Sequence, residues 1–146
     1  MDDEESSYCW KRFPEALKGA VEIAAQAFVL APQCESPIEV LLGAEIAARG
    51  GDGLEVIPQF RLGRYRYDFA IRRKSHPKFV LLIECDGKAF HSTPKQKAND
   101  YRKNIAAWQA GMDLLRFTGS EIHKDTRNCA LMAITRLRSM RLLAGE

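Results

Sequence analysis

The sequence predicts an α/β fold, a mixed central β-sheet flanked by α-helices. Three observations carry that expectation. Phe79 to Ile83 is an apolar run without polar interruption, bounded by Pro77 and Gly87, a length that suits a strand buried on both faces. Arg64 to Arg73 alternates with a period of two. The passage from the apolar strand through a helix into Met112–Phe117 is long enough for a right-handed parallel crossover.

Taken in order, the N-terminal stretch up to residue 12 reads as frayed, and Pro14 opens an amphipathic helix over about 14–31. Leu17, Val21, Ala24 and Phe28 fall at helical spacing there, and Pro32 ends it. Ser36-Pro37-Ile38-Glu39 starts a second helix with a hydroxyl cap, proline at the first helical position and glutamate at the third. Its apolar stripe is Ile38, Leu41, Leu42 and Ile46, and Gly50-Gly51 end it. Glu39 has two readings, a capping-box carboxylate or an acid facing inward beside that stripe.

Leu54–Phe60 is the first strand, placed at a sheet edge by Pro58. After a turn at Leu62-Gly63, the alternating strand puts Tyr65, Tyr67, Phe69 and Ile71 on one face. Arg64, Arg66, Asp68, Ala70 and Arg72 take the other, where Asp68 either neutralises an arginine or serves a site. A turn at Ser75-His76-Pro77 leads into the apolar strand, which closes on Glu84 and Asp86. Ser92-Thr93-Pro94 with Gln96 caps the next helix, whose stripe reads Ala98, Tyr101, Ile105 and Trp108, with Trp108 as a packing residue. Gly111 ends that helix, and a last helix at about 125–143 turns Ala130, Ala133, Ile134 and Leu137 inward and Arg127, Arg136, Arg138 and Arg141 outward.

The 146 residues fit a single domain, residues 1–146, with its core at about 36–121. Charged residues at 28% and hydrophobic ones at 46% are ordinary for a globular chain. No segment approaches the roughly 18 apolar residues of a membrane span. The acidic start, MDDEESS, is unlike a signal peptide, so a cytoplasmic protein with no membrane partner is expected. Cys9, Cys34, Cys85 and Cys129 lie far apart without a C-x-x-C pair, which favours free thiols over zinc or a redox dithiol. The net charge of +3 is small, but seven Lys and Arg stand against one acid between Arg61 and Lys78. Such a basic stretch beside acids suggests a polyanion, unless it is simply a solvated face.

Glu84 and Asp86 share a strand face by the period of two. Like charges at the end of a buried strand raise each other's pKa, and a cation that prefers hard oxygen ligands relieves them. The alternative is that both acids emerge into solvent past the strand end.

The order of helix with Glu39, strand with Asp68, strand with Glu84 and Asp86, then helix and strand resembles the PD-(D/E)xK nuclease superfamily, with its restriction-endonuclease-like fold. Within it, the chain looks like the branch of very-short-patch mismatch-repair endonucleases. The resemblance covers about 36–121 and rests on Ser36-Pro37-Ile38-Glu39, Tyr67-Asp68-Phe69 and Glu84-x-Asp86-Gly87-x-x-x-His91. It continues through Asp100-x-Arg102 and Gly111-x-x-Leu114-Leu115-Arg116-Phe117.

The resemblance implies a DNA endonuclease or nickase dependent on Mg²⁺ or Mn²⁺. Asp68 would be the central ligand and Glu84 the second acid, with the Cys85 backbone carbonyl near the same ion. Glu39 would complete the site directly or through water. His91 would lie near the scissile phosphate or orient a water, held by Asp100. Arg61, Arg64, Arg66, Arg72, Lys95 and Arg102 would grip flanking phosphates. Two positions depart from the family pattern: Tyr67 replaces the proline, and Asp86 replaces the lysine two residues after the second acid. Asp86 itself, His91 and Lys88 are the candidates for that lysine's part. DNA is the expected partner, with room for a homodimer or a larger DNA-processing complex. The rival expectations are a catalytically inactive nucleic-acid-binding module of the same fold and an assembly subunit docking through the arginine-rich last helix.

Overall fold

A computed structural model describes residues 3–86 and 93–143. The elements are α1 (Asp3–Leu30), a single 3₁₀ turn at Ala31–Gln33, α2 (Pro37–Gly50), β1 (Leu54–Leu62), β2 (Tyr65–Arg73), β3 (His76–Asp86), α3 (Pro94–Gln109), β4 (Asp113–Thr118), α4 (Gly119–Lys124) and α5 (Thr126–Leu143). The four strands form one sheet in the order β1-β2-β3-β4. β1–β2 and β2–β3 are antiparallel and β3–β4 is parallel, so the mixed α/β sheet is as expected.

β3 contributes fully buried side chains to both cores. Leu81, Leu82 and Ile83 are all fully buried, and each such side chain contributes roughly 1.5–3 kcal/mol. Leu81 and Ile83 pack with Leu42 and Ile46 of α2 and with Ala130, Ala133, Ile134 and Leu137 of α5. Leu82 and Val80 pack on the opposite face with Tyr67, Ala70 and Ala107 of α3. Ser36 caps α2, and Thr93 with Gln96 forms the capping box of α3. Gly111 takes a φ of 70° just past α3, a conformation that favours glycine, and lets the chain turn back into β4.

Several local expectations are corrected. α1 begins at Asp3 and runs through Pro14. Leu17, Val21, Ala24 and Phe28 of α1 are exposed, whereas Ile23, Gln26, Ala27 and Leu30 are the more covered positions, because α1 packs on α2 along a narrow stripe. Leu41 of α2 is exposed, and Gly43 and Ala44 are buried in its place. β3 starts at His76, so the preceding turn is Lys74-Ser75.

The even alternation expected along β2 also fails. Tyr65 and Tyr67 pack with the α3 cluster, whereas Phe69 and Ile71 pack with α2 and α5. On the paired strand, Leu54 and Val56 join the α2 side while Phe60 and Leu62 join the α3 side. Both strands thus exchange faces near Gln59 and Asp68, where the β1–β2 ladder skips from Pro58↔Phe69 to Phe60↔Tyr67. α3 presents Lys103 and Ala107 inward, leaving Tyr101 and Trp108 65% and 78% exposed, so Trp108 is not a packing residue. The short α4, capped by Thr118 with Glu121, precedes α5 and was not expected.

α2 approaches the sheet most closely at Gly43. A Cβ there would lie 2.8 Å from Phe69 Cζ and 3.1 Å from Leu30 Cδ1, and the Phe69 ring is fully buried. Gly43→Val is therefore expected to destabilise the fold by about 1–3 kcal/mol. Urea unfolding would read this as a lower midpoint with an unchanged slope.

Candidate active site

The last pair of the β2–β3 ladder is Phe69 with Ile83, which leaves Asp68 and Glu84 next in register at its end. On the other side of β3, Glu84 pairs in register with Arg116 of β4. Three neighbouring strands therefore deliver Asp68, Glu84 and Arg116 to one end of the sheet. The Cys85 backbone N–H donates to Asp68 Oδ2 at 2.6 Å, tying β2 to β3 at that point.

α3 closes one side. Lys103 Nζ donates to Glu84 Oε1 at 3.0 Å, with both side chains less than 15% exposed. The ammonium also lies 5.0 Å from the Tyr67 ring centroid, while Tyr67 OH donates to the Lys103 carbonyl at 2.8 Å. That last bond fixes which face of α3 meets the sheet. Arg116 donates through Nη2 to the Asp100 carbonyl at 3.2 Å and through Nη1 to Asn104 Oδ1.

Glu39 approaches from α2 and is buried. Its carboxylate accepts from the Glu35 N–H at 2.9 Å, from Ser36 Oγ at 3.1 Å and from Gln59 Nε2 at 3.0 Å. The capping-box bond to the Ser36 N–H is not formed; the carboxylate reaches one residue further back, to the Glu35 N–H, and to the Ser36 hydroxyl, while its charge still reaches Asp68.

The electrostatics follow from burial. Asp68 is pushed up to about 7, first by burial and then by the charges of Glu84 and Glu39, against the Cys85 N–H bond and Lys103. Burial also raises Glu84, with Lys103 and Arg116 opposing. Asp86 is raised by burial, with Arg116 opposing and Asp100 adding to the rise. The thiols respond in the same way: burial, Glu39 and Asp68 push Cys34 up to about 11, and Cys85 is raised by burial and then Asp68. Cys34, Cys85 and Cys129 are free, as expected, and protonated near neutrality.

The remaining sequence candidates are distributed unevenly. Lys88 and His91 lie outside the described residues. Asp100 is half-buried, and its charge acts on Asp86. Arg66 and Arg72, placed beside Asp68 by the alternation, instead pair with Glu35 at 2.6 Å and Glu55 at 2.7 Å. Asp68 therefore does not serve to neutralise either of them. Arg64 lies over the Tyr65 ring at 5.5 Å, and Arg61, Lys95 and Arg102 are exposed. Sequence reasoning missed the site positions of Lys103, Arg116 and Gln59. Asp100 and Lys103 three apart on one helix were the available signal for Lys103; pairing of Arg116 with Glu84 was visible only once the parallel register was known.

Among the described residues, no group of three or more His, Cys, Asp or Glu side chains is arranged to hold a metal ion. Mg²⁺ does not need one, because it keeps several waters and takes one or two carboxylates beside substrate phosphates. Asp68 and Glu84 fit that requirement: both are hard oxygen donors, and burial raises both in a way that a cation would reverse.

The mixed sheet with helices on both faces, and acids where the β2–β3 ladder ends, is compatible with a restriction-endonuclease-like protein. The family model REase_MTES_1575 matches residues 42–137, and the chain belongs to that restriction-endonuclease-like family. Gln59, Asp68, Glu84, Asp86, Lys103 and Arg116 lie inside the matched span, and Glu39 just before it. No curated protein and no solved structure matched the chain. Among the described residues, no helix is long and apolar enough to cross a membrane.

Asp68 has a folded-state pKa near 7, above its ordinary 3.8. Below 3.8 the group is protonated in both states and contributes nothing. Between 3.8 and about 7 the unfolded chain releases the proton that the folded protein retains, so stability declines through that window. Above it the full penalty remains. Thermal melts of cation-free protein are expected to give a lower Tm at pH 8 than at pH 5, and Asp68→Asn should flatten that fall.

Proposed function

We propose that this protein is a divalent-cation-dependent DNA endonuclease or nickase, of the kind found in the very-short-patch mismatch-repair branch. The observation that carries the proposal is the half-buried Asp68 beside the buried Glu84, where the β2–β3 ladder ends, within a restriction-endonuclease-like family. Asp68 and Glu84, with the Cys85 carbonyl, would hold Mg²⁺ or Mn²⁺, whose Lewis acidity serves phosphodiester hydrolysis. Asp86 would serve as a further ligand or base; His91 lies outside the described residues, and its part beside the phosphate, with Asp100 holding it, rests on the family resemblance.

Lys103 takes the part of the lysine that Asp86 replaces. It reaches Glu84 from the helix, at 3.0 Å, and its ammonium adds positive charge where a phosphate would bind. Lys88 is the competing candidate. Arg61, Arg64, Lys95 and Arg102 carry the exposed positive charge for flanking phosphates, a contact that weakens steeply as salt rises. Arg66 and Arg72 would first have to leave Glu35 and Glu55, exposed pairs worth little.

A catalytically silent DNA-binding member of the family is the second reading. It is favoured by the same Lys103, which already neutralises Glu84 in the free protein.

The test is nicking of supercoiled plasmid with Mg²⁺ or Mn²⁺. Asp68→Ala and Glu84→Ala should each slow it by more than about 100-fold, since losing even an outer-shell partner of a metal commonly costs 10–100-fold. Lys103→Ala should be similarly slow, with Lys88→Ala close to wild type. Nicking at the wild-type rate by the Asp68 and Glu84 variants would sink the catalytic reading. Salt-sensitive DNA binding without any nicking by the wild type would leave the silent module.

A further inference from the structure

Gln59 is the one residue other than glycine with a positive φ, 52°, among the described residues. It lies inside β1, between Pro58 and Phe60, whose partners on β2 are Phe69 and Tyr67. The register therefore sets Gln59 across from Asp68, at the point where the ladder is interrupted and both strands exchange faces. Glycine would adopt that backbone without strain, so a glutamine there calls for a reason that lies in its side chain.

The side chain supplies one at each end. Gln59 Nε2 donates to Glu39 Oε2 at 3.0 Å. An ionised carboxylate only accepts, so this contact fixes the amide: the nitrogen faces Glu39, and the carbonyl oxygen faces away from it. That oxygen, Oε1, is buried and finds no hydrogen-bond partner among the described residues. Buried polar atoms without a partner are uncommon, and one that is oriented by a bond at the other end of its group is a prepared acceptor. A hydrated divalent cation carries the matching donors, since its waters present polarised O–H groups.

We infer that Gln59 is a positioning residue of the Asp68–Glu84 site, fastening Glu39 through its amide nitrogen and accepting through Oε1 from the water shell of a divalent cation. The inference rests on the cation-dependent reading above and deepens it. It also accounts for Glu39, which acts on the site through Gln59 rather than by facing the ion with a free carboxylate.

The full chain is titrated with Mn²⁺ and free ion is followed by electron paramagnetic resonance. Gln59→Met keeps the length of the side chain but neither end of the amide; Gln59→Gly also removes the backbone strain, so that at least one variant retains the fold, as circular-dichroism melts would establish. Both are expected to bind Mn²⁺ about 10–100-fold more weakly than wild type. Plasmid nicking at saturating Mn²⁺ should recover in part, because the loss is one of cation affinity. Folded variants that bind Mn²⁺ as tightly as a Mn²⁺-binding wild type overturn the role of Gln59 and leave the nuclease reading intact. A wild-type protein that takes up no Mn²⁺ overturns both.

Discussion

The hydrogen bond from the Cys85 N–H to the Asp68 carboxylate is the interaction on which the site depends. It holds a half-buried acid at the end of the β2–β3 ladder, next to a second, buried acid. Two carboxylates in so little water are unfavourable as ions, and the surrounding residues are arranged as partial answers to that problem. Lys103 and Arg116 bring positive charge from α3 and β4, and both lower Glu84. Neither restores Asp68 to the ordinary carboxylate range. The residual imbalance gives the site its affinity for protons, and it is the physical basis for expecting affinity for a cation.

The acids are not equivalent. Asp68 and Glu84 form the central pair, while Glu39 is fastened by three donors and bears on them at one remove. Asp86 closes β3 under the opposing influence of Arg116 and Asp100. Burial, with the same negative surroundings adding to it, keeps the Cys34 and Cys85 thiols protonated, which removes them as nucleophiles.

Much of this was legible in the sequence because it depends on local signals. An uninterrupted apolar run read correctly as the doubly buried β3, Pro58 correctly placed β1 at the edge, and Thr93 with Gln96 marked the start of α3. What failed depends on contacts distant along the chain. The face of α3 is set by Tyr67 and Glu84 gripping Lys103, two polar interactions that outweigh the apolar periodicity of Tyr101 and Trp108. A period of two assumes a strand that does not turn over, and the left-handed Gln59 breaks that assumption for β1 and β2 together. Arg72 found Glu55, its cross-strand partner once the β1–β2 register is set, and Arg66 found Glu35, an acid that no spacing rule connects to it.

The sheet has an outer border at β1, with backbone groups on the side away from β2. Such borders invite strands from other molecules. Here Pro58 lacks an N–H, and the residue after it bends the backbone out of the extended form. An incoming strand would lose its register midway along β1. The irregularity that carries a glutamine to the acids also guards the protein against sheet-to-sheet polymerisation.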